Sequence, residues 1–207
     1  MKPVLRGTDG RINTNRACLQ SWLKLPRKNV RAFGAWHVSR VTPSLMSRLL
    51  STLILAILSV PAFAGGGPTV PGDIAYFQNG VACAPANAPQ AVKEAIWALN
   101  TIQAKPYRWG GGHATFSDIG YDCSGTVSFM LHHAGVLEAP TPSRAFLSWG
   151  EEGPGRWITI YARAGHVFAV IAGLRIDTTG RREQEGPRWR AEFRNPTGFV
   201  ARHPAGL

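Results

Sequence analysis

The stretch from His166 to Thr178, HVFAVI-AG-LRIDT, constrains the fold more than any other part of the chain. Residues 166–171 are apolar on both faces of an extended strand, which calls for a layer covered on each side. Gly173 sits where a tight return belongs, and Leu174–Thr178 resumes as a second strand, so the pair reads as a hairpin. Side chains alternate with period two along a strand. If Ala172 and Gly173 form a two-residue loop, Asp177 falls on the face of His166 as its diagonal neighbour, ~7–8 Å away between backbones. An odd loop without a bulge presents Thr178 instead, and at this level both alternatives stand.

Other segments have helical period. From about Pro89 to Gln103, with proline suited to a first turn, Val92, Ala95, Ile96, Leu99 and Ile102 form an apolar stripe. Lys105-Pro106 breaks this helix and leads into the glycine run of YRWGGG, where the backbone can approach what other residues would obstruct. A second helix of about 12 residues, ~18 Å long, has Asp122 as N-cap. Val127, Met130, Leu131 and Ala134 form its buried face, and Gly135 stops it. A short helix is expected around Ser143–Ser148, and further strands at Trp157–Ala162 and Gly198–Arg202. Gly65–Pro71 reads as a tether and Asp73–Pro89 as an irregular arm. The fold class is therefore α+β, with no internal repeat and one domain.

Cys123 follows the capping residue directly. A thiol in a helix's first turn meets the positive end of the macrodipole and unpaired N–H groups, which favour the nucleophilic thiolate. Cys123 also heads the buried face, so a small packed hydrophobe is the rival reading. Together, a cysteine at a helix N-terminus, a strand histidine and an adjoining acid form a nucleophile, base and orienter set.

The formal charge of +11 suggests a nucleic-acid partner until it is divided along the chain. Residues 1–64 carry ten Lys and Arg against the single acid Asp9, whereas residues 65–207 carry thirteen against eleven. The basicity belongs to the leader, and no nucleic-acid partner is expected. From Met46 that leader reads MSRLLSTLILAILSVPAFA: a cationic start at Arg48, an apolar run from Leu49 to Val60, and Ala62 and Ala64 flanking Phe63. This is the three-part pattern of a secretory signal peptide over 46–64, and residues 1–45 read as upstream leader with a misplaced start. The apolar run falls short of the ~20 residues a membrane span needs, so membrane contact is expected only in transit. The chain is expected to be exported, either periplasmic or secreted. Cys18 precedes the signal, leaving Cys83 and Cys123 beyond it, and in an oxidising compartment two cysteines are a disulfide candidate.

PYRWGG at 106–111, YDCSG at 121–125 opening a helix, and GHVFAVIAG at 165–173 together resemble the NlpC-type papain-like cysteine peptidases, which cut peptidoglycan stem peptides. The resemblance covers roughly Pro89–Pro204 and implies a papain-like fold, with N-terminal helices packed on a small antiparallel sheet and a catalytic domain over 89–207. It implies Cys123 as nucleophile, His166 as base and Tyr107 as a hydroxyl beside the oxyanion site. The family's third polar residue is best matched by Asp177, with Thr178 as alternative because the hairpin is about one residue shorter than usual. Ser124, Trp109 and Arg144 are the expected substrate-binding residues, with stem peptides as partner and no metal or cofactor.

The sequence departs from the family where RWITIYARAGH replaces a PGDLVFF-like strand before the histidine. The similar string PGDIAYF at 71–77 is taken as coincidence. His113 is read as an exposed loop residue, with reach to the site as the alternative, His132 and His133 as partners of a helix C-terminus, and Arg181, Arg182, Arg188, Arg190 and Arg194 as a solvated basic edge, with binding of stem-peptide carboxylates as the alternative. Two other functions share these residues: an amidase or acyltransferase built on the same Cys-His set, or an inactive wall-binding module locked by a Cys83–Cys123 disulfide.

Overall fold

Alternating small and branched apolar residues make the strands from Ile158 onward one side of a core. In the computed structural model, which describes residues 66–180 and 185–207, Ile158, Ile160, Ala162, Val167, Ala169, Ile171, Leu174, Ile176 and Trp189 are all buried. They belong to β5 (Ile158–Arg163), β6 (His166–Ile171), β7 (Leu174–Asp177) and β8 (Arg188–Arg190), consecutive strands of one antiparallel sheet. On the other flank of β5 lie β9 (Val200–His203) and then β4 (Glu151–Glu152), giving the order β4-β9-β5-β6-β7-β8. The opposite face of β6 is covered too: Phe168 stacks on Tyr161 at 5.0 Å between ring centroids and meets Phe199 edge-on at 5.1 Å. A strand apolar on both faces thus sits inside the sheet, as its composition requires.

Helix α2 (Cys123–His133) packs on β6 of this sheet, and α1 (Gln90–Ile102) packs against α2. All five stripe residues of α1 are buried, with Val92, Ile96, Leu99 and Ile102 each contributing roughly 1.5–3 kcal/mol. Helix α2 is buried from Cys123 to Leu131 and ends at Gly135, whose φ of 73° suits the left-handed C-terminal turn. Its residue Ser128 accepts the Thr141 N–H at 2.9 Å, tying the following loop back to the helix. The short helix expected at 143–148 is a single 3-10 turn, Ala145–Leu147.

The structure corrects the reading of 73–89 as an irregular arm. Thr69–Val70 (β1), Tyr76–Gln78 (β2) and Val81–Pro85 (β3) form a small mixed sheet in the order β1-β3-β2. Ala82, Cys83 and Ala84 are fully buried. Their short side chains let the strand lie close to α1, where the Asn100 amide accepts the Ala82 N–H at 2.9 Å and donates to the Ala82 carbonyl at 2.8 Å. Trp189 Nε1 donates to the same Asn100 Oδ1 at 3.0 Å, so one side chain joins the small sheet, α1 and β8. PGDIAYF contributes β2 to this small sheet and no strand to the large one.

The β6–β7 return is a two-residue loop, with Ile171 paired to Leu174. Ala172 and Gly173 both take positive φ, 47° and 83°, as a twisted hairpin turn demands. Alanine is held there because its N–H donates to Trp157 O at 2.7 Å and its carbonyl accepts from Ala75 N at 2.8 Å. The leader 1–45, the signal segment 46–64, Arg181 and Arg182 lie outside the described residues. No described helix is long and apolar enough to cross a membrane.

Candidate active site

A loop, a helix start and a hairpin converge on one small cleft. Pro106–His113 folds against the start of α2: Tyr107 forms a single parallel backbone bridge with Tyr121, and Asp122 N–H donates to Gly111 O at 3.2 Å. The Asp122 carboxylate locks the junction, accepting Gly125 N–H at 2.8 Å through Oδ1 and Gly110 N–H at 3.0 Å through Oδ2. The packing is so close that a Cβ on Gly125 would run into the Gly111 carbonyl. Glycine at 125 is therefore required by space in the helix's first turn, where it otherwise costs about 1 kcal/mol relative to alanine. With Gly125 N–H capped by the Asp122 side chain and Thr126 N–H bonded to Asp122 O, the N–H groups of Cys123 and Ser124 remain the helix's first-turn donors without a cap among the described residues.

Cys123 carries a free thiol and is 8% exposed. The Cys83–Cys123 disulfide is thus corrected by the structure: Cys83 lies in β3, in the small sheet, while Cys123 opens α2 at the cleft. His166, first residue of β6, lines the same cleft as the Cys123 thiol. Its Nε2 lies 3.1 Å from Asp177 Oδ1. An ionised carboxylate only accepts, so Nε2 carries the proton and Nδ1 is the ring nitrogen left free to accept one. Continuing the β6–β7 register by one pair sets Asp177 opposite Phe168, diagonal to His166. The structure therefore brings Asp177 to the histidine, while buried Thr178 lines the cleft without bonding the ring.

Burial pulls the His166 pKa down, but the hydrogen bonds and charges of Asp177 and Cys123 outweigh it and raise it to about 8. For Asp177, burial pushes upward and is overcome by the His166 bond, the Thr179 N–H at 3.0 Å and the charges of His166 and Arg194, so its pKa is lowered. Burial and the neighbouring Cys123 and Asp122 raise the Tyr107 pKa and keep its hydroxyl protonated, a donor. Tyr107, Cys123, Arg163, His166, Thr178 and Arg194 line a cleft of about 220 Å³. Among the described residues no group of three His, Cys, Asp or Glu could hold a metal ion.

Three expected substrate-binding residues are not brought into this cleft. Ser124 is 3% exposed and turned inward, its hydroxyl bonded to Asp122 Oδ1 at 3.1 Å and His113 Nε2 at 3.0 Å. A serine two residues after an aspartate cap is drawn to the same carboxylate. Trp109 is 88% exposed, and Arg144 projects to solvent at the 3-10 turn. His113 is partly exposed but anchored, lying 3.1 Å from Asp122. His132 bonds Leu137 O at 3.1 Å and stacks on Phe116. The basic edge is largely paired: Arg188 donates to Gln103 O and Lys105 O at 2.9 Å each, Arg190 meets Glu185 at 2.6 Å, and Arg194 meets Asp177 at 2.6 Å. Arg194 is the site residue the sequence concealed, because it lies in an aperiodic segment between β8 and β9.

No protein-family model and no curated protein matches the chain. Among solved structures the chain is similar to the peptidoglycan hydrolase RipB from Mycobacterium tuberculosis, at 26% identity and a TM-score of 0.42, covering 56% of this chain and 66% of that one. It is also similar to RipD from the same organism, a non-catalytic NlpC/p60 domain protein adapted to peptidoglycan binding. That likeness has 15% identity and a TM-score of 0.40 and covers 56% of this chain and 98% of RipD. The chain thus spans just under two thirds of the length of RipB.

Proposed function

We propose that the chain is an exported cysteine peptidase that hydrolyses amide bonds of peptidoglycan stem peptides through a thioester on Cys123. The observation that carries this reading is the set gathered in one cleft: a free thiol at a helix N-terminus and a histidine whose Nε2 is 3.1 Å from a buried carboxylate. Fold alone does not fix function, so the reading rests on this constellation and on the motif resemblance. The signal-peptide pattern at 46–64 supports action outside the cytoplasm, where wall substrate is found.

The geometry supports the following sequence of steps. His166 Nδ1 takes the thiol proton and the sulfur attacks the amide carbonyl carbon, its π-bond electrons moving to oxygen. The oxyanion is met by the Cys123 N–H and the Tyr107 hydroxyl, donors fixed before the reaction begins. The Nδ1 proton passes to the leaving amine as the C–N bond breaks, leaving a thioester. Water then gives a proton to the same nitrogen and attacks the thioester, and the returning proton restores the thiol. Asp177 holds the ring in its productive tautomer throughout and stabilises the imidazolium.

The test is incubation of the full chain with purified muropeptides, read by mass spectrometry. Hydrolysis at one stem-peptide bond, each cleavage adding one water, is expected. Muropeptides left intact sink the reading, and products joined to an added amine in place of water move the assignment to acyl transfer.

A further inference from the structure

We propose that Arg194 is a positioning residue of this site: it holds one oxygen of Asp177 so that the other faces His166, and its charge eases release of the imidazolium proton to the leaving group. The proposal rests on the hydrolase reading for its consequence and on the described geometry for its substance.

The Asp177 side chain is fully buried, and its two oxygens have separate partners. Oδ1 takes His166 Nε2 at 3.1 Å and the Thr179 N–H at 3.0 Å, while Oδ2 takes Arg194 Nη1 at 2.6 Å. A carboxylate bound on both sides has no freedom to swing away from the ring. Arg194 is itself clamped, its guanidinium carbon 5.1 Å from the Phe168 ring centre and 5.3 Å from that of Phe199. Phe168 lies on the same strand as His166, so base, acid and arginine are referenced to one element.

The charge relation is as specific as the packing. Arg194 Nη1 lies 3.5 Å from His166 Nε2. Both nitrogens are donors when Nε2–H points at Asp177, so this approach is a repulsion between like groups and not a bond. A histidine facing an unshared buried carboxylate keeps its second proton tightly and is a poor acid toward the leaving amine. Sharing the carboxylate with a permanent cation lowers that grip while the ring stays oriented. The other titratable or charged groups around the ring are Cys123 from α2, Arg163 from β5, Asp177 from β7 and Tyr107 from the glycine loop. Arg175 adds a weaker cation, its Nε 3.8 Å from the same Oδ2.

The experiment compares the full chain with Arg194→Gln, which keeps a donor for Oδ2 and loses the charge, and Arg194→Lys, which keeps the charge. The His166 ring titration is followed by NMR, and alkylation of Cys123 by iodoacetamide is followed against pH and located by peptide mass mapping; neither needs substrate. Arg194→Gln is expected to raise the His166 midpoint by about one pH unit and to lower muropeptide kcat about tenfold with KM nearly unchanged. Arg194→Lys is expected to return the midpoint most of the way to the parent value. A midpoint in Arg194→Gln that equals or falls below the parent's overturns the proposal, as does a lysine variant that titrates like the glutamine one. If the titrations come out as expected but the parent leaves muropeptides intact, the hydrolase reading fails while the Arg194–Asp177–His166 coupling stands.

Discussion

Asp177 and Thr178 are neighbours on one strand, yet only one of them is bonded to the histidine. The two-residue turn gives Asp177 the face of His166, and Asp177→Asn replaces the charged acceptor by a neutral amide. That variant is expected to lose about 10²-fold or more in kcat, whereas Thr178→Ala stays within about twofold, both measured on muropeptides. The pH profile carries a second expectation. With His166 raised to about 8, the protonated ring needed by the leaving amine is lost above that value, so kcat should fall on the alkaline side near pH 8. In Asp177→Asn that limb should move to lower pH, because the removed bond and charge are what raise it. Parity along a strand made Asp177 legible from sequence. Arg194 was not legible, because its place beside Asp177 depends on how an aperiodic segment folds back, and no local spacing encodes that. Ser124 misled for the converse reason: next to a nucleophile it looks exposed to substrate, but the Asp122 cap draws it inward.

At the scale of elements, the crossing of the glycine loop over the start of α2 sets where the sulfur points. Gly125→Ala should force the Gly111 carbonyl away, and turnover should fall more than tenfold while far-ultraviolet circular dichroism stays close to the parent's. Asn100 plays the matching part between the sheets. Asn100→Ala strands the Ala82 N–H and carbonyl and the Trp189 indole, and urea unfolding should show a loss of about 3 kcal/mol. Both helices were readable, since stripes at 3.6-residue spacing mark a buried face wherever it packs. β3 was not, because Ala-Cys-Ala has neither strand propensity nor alternation. It is held by Asn100 and by close approach to α1, both tertiary effects. β8 is too short to show a period, with Trp189 its one buried side chain between two arginines that bond elsewhere.

For the molecule as a whole, the charge of the site is linked to its stability. The His166 pKa is raised in the folded state, from an unfolded value near 6.5 to about 8. Its contribution is therefore fully present below about pH 6.5 and lost as pH rises through 8, amounting to about 2 kcal/mol. Asp177 is lowered, so its contribution is present above about pH 4 and lost as pH falls through its depressed value. Urea unfolding at pH 6 and pH 9 should differ accordingly in the parent and much less in His166→Gln. Charge is divided unevenly along the chain: residues 1–64 carry +9 of the net +11 and residues 65–207 only +2. Every proposed step depends on Cys123 as the nucleophile. The most direct measurement is muropeptide digestion by the full chain beside its Cys123→Ala variant, followed by mass spectrometry. Stem-peptide cleavage by the parent and none above background by the variant is expected; cleavage that survives the substitution would contradict the role of Cys123.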